Sequence, residues 1–350
     1  MKLTTQIFNR TWRRTVANAC MFAGLLCLFL PEGKADTVLT PGSTTTLSGL
    51  PSQSFPLIIK HEGTYRITGH FNGTPASMVS AGATHGIEVR SGLKNVTVIL
   101  ENVGIQTTGI EACAFLIQGN PDATKTTTDV SDTQSWSSVV TVKLEGENYL
   151  YSCRGVKVGA YVDGRRAGLE VWKGSTVYIE GPGKLTARCS DSRDYYDNTN
   201  SAHTKGPYDA VKDPFMSYGP KSDPTKGVEE LAGNSSAAGI GAGNLGGSGG
   251  NVVIRSGTVI GIAGSHGAGI GGAWTNNNAS QAYFTVLIYG GHVESWGGDH
   301  GAGIGGGCGA SGQVGTILVL PPAEITAASY NPTGAQLGAM KTIVYVGDST

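Results

Sequence analysis

Charge is scarce in this chain, and its positive and negative charges nearly cancel. Asp, Glu, Lys and Arg make up 15% of the 350 residues, and the formal net charge is −1. Such a surface carries no electrostatic footprint for nucleic acid or for an anionic membrane, so neither is expected as a partner. The sequence also has no nucleophile elbow, no phosphate-binding Walker loop and no HExxH zinc motif. We expect no cofactor, and we lean towards a protein that is not an enzyme.

Long apolar runs are also missing, except near the N-terminus. Four basic residues precede an apolar stretch over residues 16–30, and small residues around Gly33 and Ala35 follow it. A membrane span needs about 20 apolar residues, so this stretch is short for one. The order of basic, apolar and small residues predicts an export signal over residues 1–35, with a mature chain that starts near Asp36 and has no membrane span. We therefore expect a secreted or cell-surface protein; a retained membrane anchor is the alternative.

Cysteine is rare and widely spaced. Beyond the predicted signal the chain has Cys113, Cys153, Cys189 and Cys308, and no two of them form a CxxC pair, which argues against a zinc site. Export to an oxidising compartment permits disulfide bonds. Cys153 and Cys189 end two consecutive strand-like blocks, NYLYSC and KLTARC, so they could lie on neighbouring units. Two interpretations stay open: a bridge between these two residues, or buried free thiols.

Glycine, by contrast, is abundant, with 54 residues, and much of it lies in a repeated segment. Residues 252–272 (VVIRSGTVIGIAGSHGAGIGG) align without a gap with residues 286–306 (VLIYGGHVESWGGDHGAGIGG), at an offset of 34. Self-similarity at one fixed period of this size is typical of a solenoid, whose units bury their apolar faces by stacking on each other. The glycines of GAGIGG suit a tight corner, because glycine reaches positive φ without steric cost.

Weaker copies of the strand block occur along the chain. They read NVTVILENVGI from Asn95, SVVTVKLEGENYL from Ser138, STVYIEGPGKLTA from Ser175 and GTILVLPPAEITA from Gly315. Apolar and polar residues alternate in these short runs rich in Val, Ile and Thr, which favours strands with one buried face over helices. The sequence therefore predicts an all-β fold, a parallel β-helix (solenoid) of about six coils that is right-handed by strong default.

The alternation also predicts which side chains of the second copy face the core. The expected inward residues are Val286, Ile288, Val293 and Ser295, and the expected outward residues are Leu287, Tyr289, His292, Glu294 and Trp296. Around the repeats we expect an N-terminal strand-rich cap, a first set of coils, a long inserted loop, the GAGIGG coils and a C-terminal strand or cap. Their predicted bounds are 36–84, 85–190, 191–236, 237–330 and 331–350.

Residues 191–236 interrupt the repeat with about 45 residues where other units have a short loop. The stretch is polar and rich in proline, yet it carries Tyr195, Tyr196, Tyr208, Phe215 and Tyr218. Long loops of this kind are either functional or disordered, and the aromatic residues argue against simple disorder. The aspartates of the insertion match no EF-hand spacing, so we expect a solvated acidic loop rather than a calcium site.

The order of these blocks resembles that of a known family. A VTVILENV strand, a VTVKLEGEN block, AGLEV at Ala167, the STVYIEGPGKLTA block and tandem GAGIGG units follow each other over roughly residues 85–330. This succession is similar to that of exported bacterial β-helix proteins with GAGIGG repeats, which are labelled carbohydrate-binding-domain or surface/adhesin-like proteins. The resemblance implies a surface or secreted protein with a glycan ligand, and it brings no assigned catalytic residue. The insertion departs from the family's usual short link.

Two histidines occupy equivalent positions in the repeated segment. His266 and His300 would lie about 4.8 Å apart along the stack if the coils are regular, and Asp299 is the one acid beside either of them. Together they could act as an acid/base or metal pair in a polysaccharide lyase or hydrolase. Glycoside hydrolysis uses two carboxylates at a defined separation, which this motif does not supply. We therefore favour a polar ladder at a coil corner and expect no metal.

Aromatic side chains give a second candidate site. By alternation or loop position, the residues available to a ligand are Trp172, Trp274, Tyr289 and Trp296, together with Tyr195, Tyr196, Tyr208 and Tyr218 of the insertion. Flat aromatic faces pack on the C–H surfaces of sugars, so a row of them along a solenoid suits an extended glycan. Outward aliphatic residues instead indicate a covered surface or an interface. They are Val253, Ile260, Ile262 and Leu287.

Three functions are compatible with these observations. The leading hypothesis is an exported, non-enzymatic binding or adhesion protein whose ligand is a polysaccharide or a host glycan. The first alternative is a polysaccharide-active lyase or hydrolase with its cleft beneath the insertion. The second is a structural surface component that binds protein partners or associates with itself.

Overall fold

The computed structural model describes most of the chain that follows the predicted export signal. The described residues are 36–119, 136–153, 157–158, 161–162, 165–189, 236–243, 249–264, 266–274, 283–298, 301–307, 314–329 and 342–346. The export signal predicted over residues 1–35 lies outside them, as do residues 191–235, which are nearly all of the insertion.

Short strands make up the described chain. The first thirteen are β1 (Thr37–Val38), β2 (Thr44–Thr46), β3 (Leu57–Ile59), β4 (Gly63–Thr68), β5 (Val79–Gly82), β6 (Ile87–Val89), β7 (Val96–Glu101), β8 (Gly104–Thr107), β9 (Phe115–Ile117), β10 (Val139–Glu145), β11 (Glu147–Ser152), β12 (Lys157–Val158) and β13 (Tyr161–Val162). The next thirteen are β14 (Leu169–Val171), β15 (Thr176–Glu180), β16 (Lys184–Cys189), β17 (Ile240–Gly241), β18 (Asn251–Ile254), β19 (Thr258–Ile262), β20 (Ile270–Gly271), β21 (Tyr283–Ile288), β22 (His292–Gly297), β23 (Ile304–Gly305), β24 (Val314–Val319), β25 (Glu324–Ser329) and β26 (Thr342–Val346). Two single-turn 3₁₀ helices lie at Ser52–Ser54 and Pro75–Ser77.

The strands stack into three parallel sheets, and the chain visits sheets A, B and C in turn. Sheet A has the order β1-β3-β6-β9-β14-β17-β20-β23, sheet B the order β2-β4-β7-β10-β15-β18-β21-β24-β26, and sheet C the order β5-β8-β11-β16-β19-β22-β25. A separate antiparallel ribbon joins β12 to β13. The structure confirms the prediction of an all-β fold built from stacked parallel strands, as in a parallel β-helix. The segment 36–84, which we expected to form a cap, contributes β1–β5 to these same sheets.

The repeat offset of 34 residues is one step along the stack. Val252 pairs with Val286 in sheet B, and Ile270 pairs with Ile304 in sheet A. Equivalent residues of the two copies are therefore direct neighbours in the ladders, about 4.8 Å apart. The register of the fold can be read from the sequence alignment of the two copies.

An unbroken apolar column fills the space between the sheets. One inward row of sheet A is Leu57, Ile87, Phe115, Leu169, Ile240, Ile270 and Ile304, all fully buried. The facing row of sheet B is Tyr65, Val98, Val142, Ile179, Ile254, Ile288 and Val319. Each buried aliphatic side chain contributes about 1.5–3 kcal/mol relative to an exposed one, so the column is the main source of stability.

Polar side chains in the interior bond the backbone where the chain turns. Asn148 Oδ1 accepts from the Val103 N–H at 2.9 Å, and its Nδ2 donates to the Lys184 carbonyl at 3.2 Å. Ser295 faces inward as predicted, and its hydroxyl donates to the carbonyl of Gly303 at 2.5 Å. Buried backbone groups at corners lack ladder partners, so these side chains supply the hydrogen bonds that would otherwise be lost.

Connection lengths differ sharply among the three corners. From β7 onward, the B–C corner uses between one and four residues in each coil, from Glu101 to Gly104 at the first and from Val319 to Glu324 at the last. From β7 onward, the long connections lie at the other two corners. Residues 118–138 join sheets A and B, and residues 190–239 join sheets C and A. Sheet A is therefore bordered by both of these long connections, whereas sheets B and C are each bordered by one of them.

The GAGIGG segments form a tight corner in which backbone meets backbone. Gly271 has φ +132°, and a Cβ atom built on it would overlap the carbonyl oxygen of Gly305 in the next coil. Gly305 itself has φ +144°. Any L residue at position 271 would be destabilised for two reasons. Its backbone conformation would be disfavoured, and its Cβ would overlap a carbonyl that cannot move without breaking the ladder.

We expect Gly271→Ala to destabilise the protein by at least about 3 kcal/mol, since strain and overlap add. Gly42→Ala is the matched control, because Gly42 also has positive φ (+80°) but open space where the Cβ would lie. It should cost only about 1–2 kcal/mol. Chemical denaturation of both variants tests this, and equal losses would contradict the role of backbone contact at the corner.

The described cysteines are free, buried thiols. Cys113 Sγ donates to the carbonyls of Phe115 and Ala167, both at 3.0 Å. Cys189 pairs with Ser152 in sheet C, which places Cys153 one residue further along. Burial raises the pKa of the Cys153 thiol to about 12. Of the two interpretations left open, the structure has the free thiols; Cys308 lies outside the described residues.

Buried thiols should resist alkylation in the folded protein. For Cys153 at pH 8, the thiolate fraction falls about a thousandfold relative to an ordinary cysteine. Mass spectrometry after iodoacetamide treatment should find Cys113, Cys153 and Cys189 unmodified in native protein and modified after denaturation in guanidinium. A peptide cross-linked through Cys153 and Cys189 in a non-reduced digest would contradict this.

Candidate functional site

The outer face of sheet A is buried although it points away from the core. Its central row is Ile58, Glu88, Leu116 and Glu170, which are all less than 5% exposed. Sheet A lies between the two corners that carry the long connections. Its outer face therefore offers little surface to a large ligand.

A charged cluster lies within this buried face. The Glu170 carboxylate accepts from Arg166 Nη1 and from the Trp172 indole N–H, both at 2.7 Å, and from the backbone of Ala167 at 3.3 Å. A Cβ built on Gly243 would collide with the same carboxylate. Glu170 is thus enclosed and accepts three hydrogen bonds, an arrangement that fixes structure rather than offering an acid to substrate.

His85 belongs to the same region. Its Nδ1 accepts the backbone N–H of Cys113 at 3.0 Å, which requires the neutral ring. Burial, together with the positive charges of Arg166 and Arg90, lowers the pKa of His85 from its usual 6.5 to about 4. At neutral pH this histidine is therefore an uncharged acceptor that anchors the start of β9.

Sheet C changes from exposed to buried across its width. Beside the B–C corner, its outward row is Glu147, Lys184, Thr258, His292 and Glu324, all exposed or half-buried. Beside the C–A corner, the outward row includes Tyr151, Arg188, Ile262 and Trp296, all less than 7% exposed. Burial thus increases towards the corner that carries the long connections.

Aromatic and apolar contacts account for part of this burial. Phe71, from the long first B–C connection, packs on Tyr149 with ring centroids 5.7 Å apart, and the Arg188 guanidinium lies 5.0 Å from the Tyr151 ring centroid. Trp296 forms an apolar cluster with Ile260 and Ile262. Trp296 is outward in register, as the alternation predicts, but it is buried and is not presented to solvent.

Sheet B is the face that stays open. Its central outward row is Thr64, Thr97, Thr141, Tyr178, Val253, Leu287 and Leu318, and all of these except Val253 are exposed or half-buried. A hydroxyl- and amide-bearing row, Thr176, Asn251, Thr285 and Thr316, runs beside it. A third row, nearest the B–C corner, is Lys143, Glu180, Arg255 and Tyr289.

Arg255 is held in place by the preceding coil. It follows Ile254, the ladder partner of Ile179, and therefore stands opposite Glu180. Its Nη1 donates to Glu180 Oε2 at 3.1 Å, and its guanidinium lies 4.0 Å from the centroid of the Tyr178 ring. A cation over an aromatic face is favourable, and an ion pair adds to it, so the guanidinium has a defined plane.

Tyr289 occupies the equivalent position on the next coil. Its N–H donates to the Ile254 carbonyl at 2.8 Å, which places it directly beside Arg255, and its side chain is 41% exposed. Gly290 and Gly291 follow it, so the next two residues add no side chain at that corner. We call Tyr178, Glu180, Arg255, Leu287 and Tyr289 the exposed strip.

The predicted aromatic site residues do not share one face. Trp172 follows β14 of sheet A, Tyr289 follows β21 of sheet B, and Trp296 lies in β22 of sheet C. Trp274 is half-buried after β20, with its ring centroid 6.2 Å from that of His266. Of these aromatics, Tyr289 alone lies on the exposed strip.

Other predicted site residues lie outside the described part of the chain. They are Tyr195, Tyr196, Tyr208 and Tyr218 of the insertion, and Asp299 and His300 of the repeat. The pairing of His266 with His300 is therefore not described.

Comparison with known proteins gave no relatives. No family model, curated protein or solved structure matches the chain. Among the described residues, no group of three or more His, Cys, Asp or Glu side chains could hold a metal ion, and no helix is long and apolar enough to cross a membrane.

Three residues of the exposed strip, Tyr178, Glu180 and Arg255, are not among the site residues predicted from the sequence, although the sequence carries a signal for one of them. Arg255 aligns with Tyr289 at the repeat offset, so the alternation that marks Tyr289 as outward marks Arg255 as well. The contribution of Tyr178 needs the register between β15 and β18, because residues 190–235 separate its coil from the next one.

The protonation of His85 predicts loss of stability in acid. Its pKa in the folded protein lies below the ordinary value of 6.5, so the unfolded chain binds the proton more tightly. This contribution is complete above about pH 6.5 and is lost as the pH falls towards 4, by up to roughly 3 kcal/mol. His85→Gln should flatten the pH dependence of the unfolding free energy over this range. An unchanged slope in the variant, measured by urea denaturation, would exclude His85 as its source.

Proposed function

We propose that this protein is an exported, non-enzymatic, right-handed β-helix that binds an extended glycan along the outer face of sheet B. It acts at the cell surface or in the medium as a binding or adhesion protein. The coils give this face a regular spacing, because a polymer that runs along the stack meets an equivalent row of side chains at every step of about 4.8 Å.

One observation carries the proposal: sheet B presents an ordered, open face, while the outer face of sheet A is buried and that of sheet C is open only beside the B–C corner. The central row is apolar and aromatic over the later coils, where Tyr178, Val253 and Leu287 follow each other in the ladder. Asn251 and Thr285 lie on one side of it, and Arg255 and Tyr289 lie on the other.

This combination suits the chemistry of a sugar chain. Pyranose rings have apolar C–H surfaces, which pack on flat side chains such as the Tyr289 ring, and hydroxyl groups, which need donors and acceptors nearby. The Asn251 side chain donates to Thr176 Oγ1 at 3.0 Å, which holds its amide against the preceding coil. Binding sites of this kind combine apolar contact with a few placed polar groups.

We expect Tyr289→Ala to weaken glycan binding about tenfold or more, because it removes the exposed aromatic surface of the strip. A glycan array identifies the ligand, and isothermal titration with that ligand gives the affinity. Trp136→Ala is the matched control, since Trp136 is similarly exposed (45%) but lies at the other edge of sheet B, just before β10.

The array also separates the alternatives. Glycan binding that Tyr289→Ala weakens and Trp136→Ala leaves intact supports the strip as the binding surface. Equal losses in both variants would place the ligand elsewhere. Failure to bind any glycan on a broad array would overturn the proposal.

A further inference from the structure

The guanidinium of Arg255 is held in place, yet one side-chain hydrogen bond engages only one of its nitrogen atoms. Within the described part of the chain, Glu180 is its only side-chain hydrogen-bond partner, through Nη1. Tyr178 supports one face of the group, and the Arg255 side chain is 48% exposed. A guanidinium has five N–H donors in a planar fork, so several of them face solvent in a set orientation.

The charges around Arg255 leave a positive surplus. Glu180 is shared between two cations, Arg255 at 3.1 Å and Lys143 at 3.8 Å. Within this row of sheet B, two cations thus face one carboxylate, so the strip beside Arg255 suits an anionic group. Across the B–C corner, Glu294 and Glu324 each contact His292 of sheet C at 3.3 Å.

Tyr289 supplies the second half of a binding unit. It stands beside Arg255 one coil further along, about 4.8 Å away, with its ring exposed. A sugar ring lying on Tyr289 would bring a substituent of that ring within reach of the guanidinium. Planar carboxylates match the guanidinium fork through two parallel hydrogen bonds.

We infer that Arg255 makes the exposed strip selective for an acidic glycan, a polymer of uronic acid, whose carboxylate binds the guanidinium while its ring packs on Tyr289. The inference rests on the proposed function, since it names the ligand class for the same face. Arg255 is then the specificity-determining residue, and Tyr178 and Glu180 are positioning residues that orient it.

Two oligosaccharides of the same length test this directly. Oligogalacturonate carries one carboxylate on each ring, and its fully methyl-esterified form keeps the rings but removes the charge. By isothermal titration at physiological salt, we expect the full-length protein to bind the acid form about tenfold or more tightly than the ester. Arg255→Gln should abolish this preference, so that the variant binds the acid and ester forms with equal affinity.

Two further variants separate geometry from charge. Arg255→Lys keeps the charge but loses the fork, so it should lose most of the preference for the acid form. Lys143→Gln removes the same charge as Arg255→Gln from a site two coils away, and screening by salt should limit its effect to about threefold or less. Similar effects of Lys143→Gln and Arg255→Gln would show that bulk charge alone is at work and would overturn the inference.

The ligands also separate this inference from the proposed function. Equal affinity for the acid and ester forms, or binding of dextran sulfate in preference to oligogalacturonate, would overturn the uronate inference alone. Absence of binding to these ligands and to every neutral glycan tested would overturn the proposed function and the inference together.

Discussion

The parallel hydrogen-bonded ladder between successive coils positions every other feature of this protein. The ladders stack the same position of each coil at a constant rise. The main structural difference between positions is therefore whether the side chain faces the core or the outside. Inward rows must be apolar or must bond a corner, as Ile270 and Asn148 do. The corner at Gly271 shows how tightly this holds, since the space for a Cβ is taken by the backbone of Gly305. Outward positions are left free to vary.

Exposure then decides which outward positions can serve a ligand. The B–C corner is short in every coil after the second, so sheet B and the adjacent edge of sheet C stay open. Sheet A lies between the two corners with long connections, and its outward glutamates are enclosed. The enclosed Glu170 and the exposed Arg255 are thus the same kind of residue, an outward charged side chain on a ladder. What differs is that Arg166, Trp172 and Gly243 enclose Glu170, whereas the Arg255 side chain is 48% exposed.

Much of this architecture could be predicted from the sequence, because the repeat that identifies the solenoid is also its register. The inward assignment of Val286, Ile288 and Val293 follows from alternation alone, and these side chains are buried. Alternation could not predict that Trp296 is buried. It indicates whether a side chain faces inward or outward, but not which other side chains pack over the outer face of the sheet. Nor could it separate the aromatic residues by face, since that requires knowing which of three sheets each block enters. Arg255 lies one repeat before Tyr289. The sequence does not show that Glu180 and Tyr178 hold its side chain in place, because these contacts depend on the register between coils.

The contacts of Arg255 show how a stack of coils can orient a binding side chain on a surface that has no pocket. Tyr178 and Glu180 are two residues apart on one strand, so both point outward, and the ladder sets Arg255 opposite one and diagonal to the other. The cation is therefore oriented from two sides by a single strand of the preceding coil, and the next coil adds Tyr289 on its third side. A long side chain normally loses conformational freedom when it binds, and here most of that loss is incurred on folding. A flat sheet thereby gains a directed donor group at a surface that has no cavity to confine a ligand.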